Sequence, residues 1–179
     1  DQEIESAVAF GRESEQPDMA TMLGSVYAPH ADHTEPGAVG DRTLTYVEAL
    51  NEALHQEMAH DDRVFLMGED VGLTGGIFQI SKGLMERFGE ERVRDTPISE
   101  ATFVGCGVGA AIAGMRPVVE LQIFDFVTLT MDMLVNQAAK LRYMLGGQVT
   151  VPLTVYTFGS GGVNAGPGFR CSSQAVSRR

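Results

Sequence analysis

Tryptophan is absent, cysteine occurs only at positions 106 and 171, and histidine only at 30, 33, 55 and 60. Two cysteines cannot make a disulfide framework, and Cys106 lies in an apolar stretch where a small buried hydrophobe is the expected role. His30 and His33 have no neighbouring ligands at metal-binding spacing, so a solvated linker is expected there, and His55 and His60 are expected at the surface. No apolar run approaches the ~18 residues of a membrane span, and no basic-then-apolar signal pattern opens the chain. A soluble, cytoplasmic protein with no membrane contact is expected. Basic residues are also scarce, with 13 Lys and Arg against 24 Asp and Glu for a net charge of -11. Residues 1–40 hold eight acids against Arg12 alone. That balance argues against nucleic acid as a partner.

What is present is one ordinary core's worth of apolar residues, 44% of 179 positions. The most informative stretch is Asp95-Thr-Pro-Ile-Ser-Glu100 with the run to Gly114 behind it. A proline turn leads to Ser99, a good N-cap residue, and the fourteen positions after Glu100 carry no charge, which predicts a buried helix with a carboxylate at its mouth. Gly105, Gly107, Gly109 and Gly114 would each cost roughly 1 kcal/mol against alanine inside a helix, so something is expected to approach them closely. At such a position burial disfavours the charged form of a carboxyl while the helix N-terminus favours it. On spacing alone, Glu100 is equally well a helix cap or part of a site.

Taken in order, residues 3–10 predict an amphipathic helix, and 29–42 have linker composition. Thr45 with Glu48 forms a capping-box pattern, followed by Val47, Leu50, Leu54 and Met58 at helical spacing through His60. Arg63-Val-Phe-Leu-Met67 predicts a buried parallel strand, delivering Glu69 and Asp70 where crevices form in open α/β sheets; spacing alone favours solvated turn residues there. Residues 77–88 predict a helix with Gly89 as its C-cap. A strand over 117–124 places Asp125 and Phe126 at its carboxyl end, where Phe126 reads first as core packing. A long helix over 128–145, ended by Gly146-Gly147, and a strand over 151–158 complete the pattern. The glycine-rich 159–162 run does not lead into a helix and is not a P-loop.

Five motifs in order and spacing carry a resemblance: Met67-Gly-Glu-Asp-Val-Gly72, Asp95-Thr-Pro-Ile-Ser-Glu100, Gly114-Met-Arg-Pro-Val-Val-Glu120, Phe124-Asp-Phe126 and Asn136-Gln-Ala-Ala-Lys-Leu-Arg-Tyr-Met-Leu-Gly-Gly147. Residues 45 to about 166 resemble the pyrimidine-binding domain in the beta subunit of thiamine diphosphate-dependent 2-oxo acid dehydrogenases, the E1 component of the pyruvate and acetoin type. The resemblance implies a three-layer, doubly wound, mostly parallel sheet with helices on both faces, incomplete at the C-terminus. It implies that Glu100 hydrogen-bonds the pyrimidine ring nitrogen of thiamine diphosphate and favours its reactive tautomer. Phe126 would stack on the aminopyrimidine, and Glu69 would join an acid relay between paired sites. Magnesium would be held by the partner domain and not by this chain. The implied partners are an E1 alpha subunit or fused diphosphate-binding domain, a second beta copy, and the lipoyl domain of the E2 component.

Residues 1–28 resemble, more weakly, the C-terminal end of alpha subunits, so an alpha-to-beta fusion piece is expected: 1–28, linker 29–42, pyrimidine-binding domain 43–167, off-pattern tail 168–179. The start at Asp1 without methionine points the same way. After Pro167 the family continues with a Gln-His-Ser segment bearing a substrate histidine; here no histidine follows His60, and the serine- and arginine-rich end suggests a shifted frame or chimeric terminus. Pyruvate leads among substrates. A transketolase- or synthase-like enzyme, or a non-catalytic binding or assembly module, remains the alternative.

Overall fold

The computed structural model describes residues 1–16, 18–26 and 43–159. The expected linker 29–42, the tail 168–179, and His30, His33 and Cys171 with them, lie outside the described residues. The N-terminal stretch forms α1 (Gln2–Glu13) and α2 (Met19–Val26). The helix expected over 3–10 is present, but it buries none of its residues, and Ile4, Val8 and Phe10 face outward. Helix α3 (Tyr46–His60) starts on the expected capping box: Thr45 Oγ1 accepts from the Glu48 amide at 3.2 Å, and Glu48 Oε2 accepts from the Thr45 amide at 2.8 Å. Its Met58 is fully buried and Leu54 partly so, whereas Val47 and Leu50 reach the surface.

Four strands follow: β1 (Val64–Gly68), β2 (Val93–Asp95), β3 (Arg116–Leu121) and β4 (Thr154–Thr157). They pair in the order β2-β1-β3-β4, every pair parallel. Helix α4 (Leu84–Phe88) leads to β2 and α5 (Glu100–Ile112) leads to β3. Alternation along the strands splits the core. Val64 and Leu66 pack with Met58, Leu84 and Val93 on one face, while Phe65, Met67, Val119 and Leu121 pack with Phe103 and Val104 of α5 on the other. Helices therefore cover both faces, as expected from the sequence.

The chain leaves β1 toward one edge of the sheet, by way of α4 and β2, and leaves β3 toward the other edge. The carboxyl ends of β1 and β3 thus flank the point where the winding reverses, the place where open α/β sheets form a ligand crevice.

Several local expectations are corrected. The helix expected over 77–88 is confined to Leu84–Phe88, because Gly83 at φ 78 breaks the backbone just before it. The long helix over 128–145 is divided into a 3-10 turn (Phe124–Phe126), α6 (Val127–Met131), a π-helical turn (Asp132–Ala138) and α7 (Leu141–Met144). The strand over 117–124 ends at Leu121, so Phe126 sits in the 3-10 turn beyond it. Residues 93–95, expected only as a lead-in, form β2 by pairing with β1.

Helix α5 buries one face instead of its whole circumference, and Cys106 is exposed on the other, so the expected buried role of Cys106 does not hold. The expected close approach is met at Gly107, where a Cβ would stand 2.9 Å from Val119 Cγ2 and 3.1 Å from Leu153 Cδ1. At Gly109 and Gly114 nothing lies within 4 Å.

Candidate functional site

Glu69 is the first residue after β1 and is buried, at 7% exposure. Its backbone carbonyl accepts from Gln122 Nε2 at 3.3 Å, while its side-chain Oε1 has no partner among the described residues. Burial pushes its pKa above the usual carboxylate range, and the negative charges of Glu100 and then Asp70 push in the same direction. The solvated-turn alternative for Glu69 is therefore not what the fold builds. Asp70 is the exposed member of the pair, and it adopts a left-handed backbone at φ 58, tolerable for aspartate. Its carbonyl accepts from the Gly76 amide at 2.8 Å and from Thr74 Oγ1.

Glu100 is the first residue of α5 and is also buried, at 9% exposure. Ser99 occupies the N-cap position, but its hydroxyl turns back to the Pro97 carbonyl at 3.2 Å and caps no helical amide. The Ser99 carbonyl instead accepts from the amides of Thr102 at 2.8 Å and Phe103 at 3.1 Å, which starts the helix at Glu100. Two backbone links tie the Glu69 turn to the Asp95-Glu100 motif. The Thr96 amide donates to the Gly68 carbonyl at 2.9 Å, and the Gly72 amide donates to Asp95 Oδ1 at 2.6 Å. A Cβ on Gly72 would stand 2.6 Å from Asp95 Oδ2, so that approach requires glycine.

Phe126 is half-buried in the 3-10 turn after β3. Since β1 pairs in parallel with both β2 and β3, Glu69, Glu100 and Phe126 all follow carboxyl ends of strands at one end of the sheet. Among the described residues no group of three or more His, Cys, Asp or Glu is placed to hold a metal ion, and no helix is long and apolar enough to cross a membrane.

Comparison with known proteins gives a family match over residues 42–168, described as "Transketolase, pyrimidine binding domain". The chain belongs to the transketolase pyrimidine-binding domain family. Among similar proteins is the pyruvate dehydrogenase E1 component subunit beta-1, mitochondrial, of Arabidopsis thaliana, 49% identical over 131 residues, covering 73% of this chain and 36% of the relative. The 2-oxoisovalerate dehydrogenase subunit beta of Bacillus subtilis is 45% identical over 121 residues, covering 68% and 37%. The pyruvate dehydrogenase E1 component subunit beta of Rickettsia bellii is 51% identical over 110 residues, covering 62% and 34%. The chain spans about a third of the length of these relatives.

For this pyrimidine-binding domain the sequence singled out Glu69, Glu100 and Phe126 but missed what holds them. Asp95 as an anchor for Gly72, Gln122 as a donor to the Glu69 carbonyl, and the buried pair Glu120 and Tyr156 emerge only from the fold. A signal for the last was present: a glutamate inside the apolar strand Pro-Val-Val-Glu-Leu has to be paired or neutral.

Proposed function

We propose that this chain supplies the aminopyrimidine-binding, cofactor-activating half of a thiamine diphosphate site in an E1-type 2-oxo acid dehydrogenase, with pyruvate as the leading substrate. The observation that carries the reading is the pairing of buried Glu69 and Glu100 beside the point where the sheet's winding reverses, in a chain of the pyrimidine-binding family.

The residues fit the group. An aminopyrimidine needs a carboxyl partner for a ring nitrogen, which Glu100 offers at the head of α5, and a flat apolar surface, which Phe126 offers after β3. The unpartnered Oε1 of Glu69 supplies a further buried acceptor. When bound, thiamine diphosphate supplies the nucleophilic carbon and the electron sink for decarboxylation. Glu100 would be the carboxyl that holds the ring nitrogen and controls its proton, in the general acid-base sense. Beside it, Glu69 is held toward its neutral form first by burial and next by the charge of Glu100.

The diphosphate and its magnesium belong on a partner, an E1 alpha subunit or fused diphosphate-binding domain. A second copy of this chain and a lipoyl domain complete the assembly. The family match over residues 42–168 supports a pyrimidine domain at 43–167, and the same reading takes 1–28 as an alpha-like end and 29–42 as a linker. A cytoplasmic location belongs to the same reading. The test is calorimetric titration of thiamine diphosphate with magnesium into the chain, alone and mixed with a pyruvate dehydrogenase alpha subunit. Binding only in the mixture is the expected result; binding by neither, or by the chain alone, overturns the reading.

A further inference from the structure

On the opposite face of the sheet from α5, Glu120 is 1% exposed, one residue before the end of β3. Its in-register neighbour on β4 is Tyr156, whose phenol donates to Glu120 Oε2. The other carboxyl oxygen, Oε1, is buried with no partner among the described residues. Ser81 is fully buried as well, and its hydroxyl also has no partner there.

These two orphaned groups meet over one glycine. A Cβ on Gly76 would stand 3.3 Å from Glu120 Oε1, 3.4 Å from its Oε2 and 3.3 Å from Ser81 Oγ. Gly76 and Ser81 both belong to the loop between Glu69 and α4, and that loop is otherwise pinned from outside. Asn51 Nδ2 donates to the Ile80 carbonyl at 2.5 Å and to the Lys82 carbonyl at 3.0 Å. From Gly76 the link runs on to the site, because its amide donates to the carbonyl of Asp70, the residue beside Glu69. The end of β1 rests on the same glutamate: a Cβ on Gly68 would stand 2.9 Å from the Glu120 carbonyl oxygen and 3.0 Å from its Cβ.

We propose that Glu120 is a positioning residue: bonded to Tyr156 through one oxygen and to Ser81 through the other across one water, it fixes the 72–82 loop and with it the backbone that carries Glu69. A buried carboxyl oxygen and a buried hydroxyl without partners each cost free energy, and one water between them, accepting from the hydroxyl and donating to the carboxyl oxygen, satisfies both. Burial raises the pKa of Glu120, against the lowering effect of the Tyr156 hydrogen bond. The assignment rests on Glu69 being part of the site, but the loop contact itself does not depend on any cofactor.

The test is amide hydrogen exchange at Gly76 and Ser81, together with carboxyl carbon NMR titration of Glu69, on the full chain without cofactor or partner. Ser81→Ala and Glu120→Leu should each speed exchange at the two amides by roughly tenfold to a hundredfold, the loss of one buried hydrogen bond. Both should also displace the Glu69 titration. Glu120→Gln, which can accept from Tyr156 and donate to the water beside Ser81, should restore parental exchange and titration. Unchanged exchange in Ser81→Ala overturns the proposal even if Glu120→Leu fails to fold, and so does a Glu120→Gln chain as loose as the leucine variant. Absence of thiamine diphosphate binding would defeat the functional reading while leaving these exchange rates as they are.

Discussion

Glu69, buried at the end of β1, is held above the usual carboxylate range by its burial and next by the charge of Glu100 at the head of α5. The direction fixes a pH signature. A carboxyl whose folded pKa exceeds its unfolded value binds more protons in the native state, so stability falls as pH rises from the unfolded pKa through the folded one. Glu69→Gln should therefore melt higher than the parent at pH 8, with the difference vanishing toward pH 4. Equal melting temperatures across that range, by circular dichroism, would contradict the assignment. Glu100→Gln should lower the Glu69 midpoint in a carboxyl NMR titration, because it removes the like charge.

Much of this fold was legible because its signals are local. The Thr45-Glu48 box, the apolar run of β1 and the uncharged run of α5 each declare themselves within a few residues. What was not legible depends on partners distant in sequence. Val93-Arg-Asp95 carries a single apolar residue and is a strand only because Leu66 lies opposite Val93. The π-helical turn at 132–138 brings Met133 against α5, with its Sδ 3.1 Å from where a Gly105 Cβ would stand, a fit that periodicity does not encode. Cys106 is exposed because one face of α5 lies away from the sheet, and composition cannot say which face. Glu69 and Glu100 were both visible as residues. Their proximity follows from the parallel pairing of β1 with β2 and the Thr96 to Gly68 hydrogen bond.

Arg92 closes the junction of α3, β1 and β2. Its Nη2 donates to the carbonyls of Met58 at 2.8 Å, Asp61 at 2.9 Å and Val64 at 2.6 Å, and its guanidinium lies over the Phe88 ring at 5.3 Å. Arg92→Leu should cost roughly 2 kcal/mol in urea unfolding, since it orphans partly buried acceptors. Arg92→Lys should rescue little, because an ammonium cannot reproduce the planar fork.

Two glycines of α5 should respond oppositely to alanine. Gly107→Ala forces a methyl against Val119 and Leu153, and overpacking of that kind costs about 1–3 kcal/mol, outweighing the gain in helix propensity. Gly109→Ala meets nothing within 4 Å and should stabilise by about 0.5–1 kcal/mol. Denaturant midpoints of the two variants check the pair. A stable Gly107→Ala chain would mean that α5 sits farther from β3 than described.

The central claim is that Glu100 holds the aminopyrimidine of a cofactor shared with a partner. Its most direct measurement is calorimetric binding of thiamine diphosphate with magnesium to a mixture of the chain and a pyruvate dehydrogenase alpha subunit, comparing the parent with Glu100→Gln. Circular dichroism of both chains serves as the folding control. The account predicts equal folding and an affinity weakened by at least roughly tenfold in the variant, the scale of one lost charge-assisted hydrogen bond. Equal affinity for a well-folded Glu100→Gln chain would contradict it.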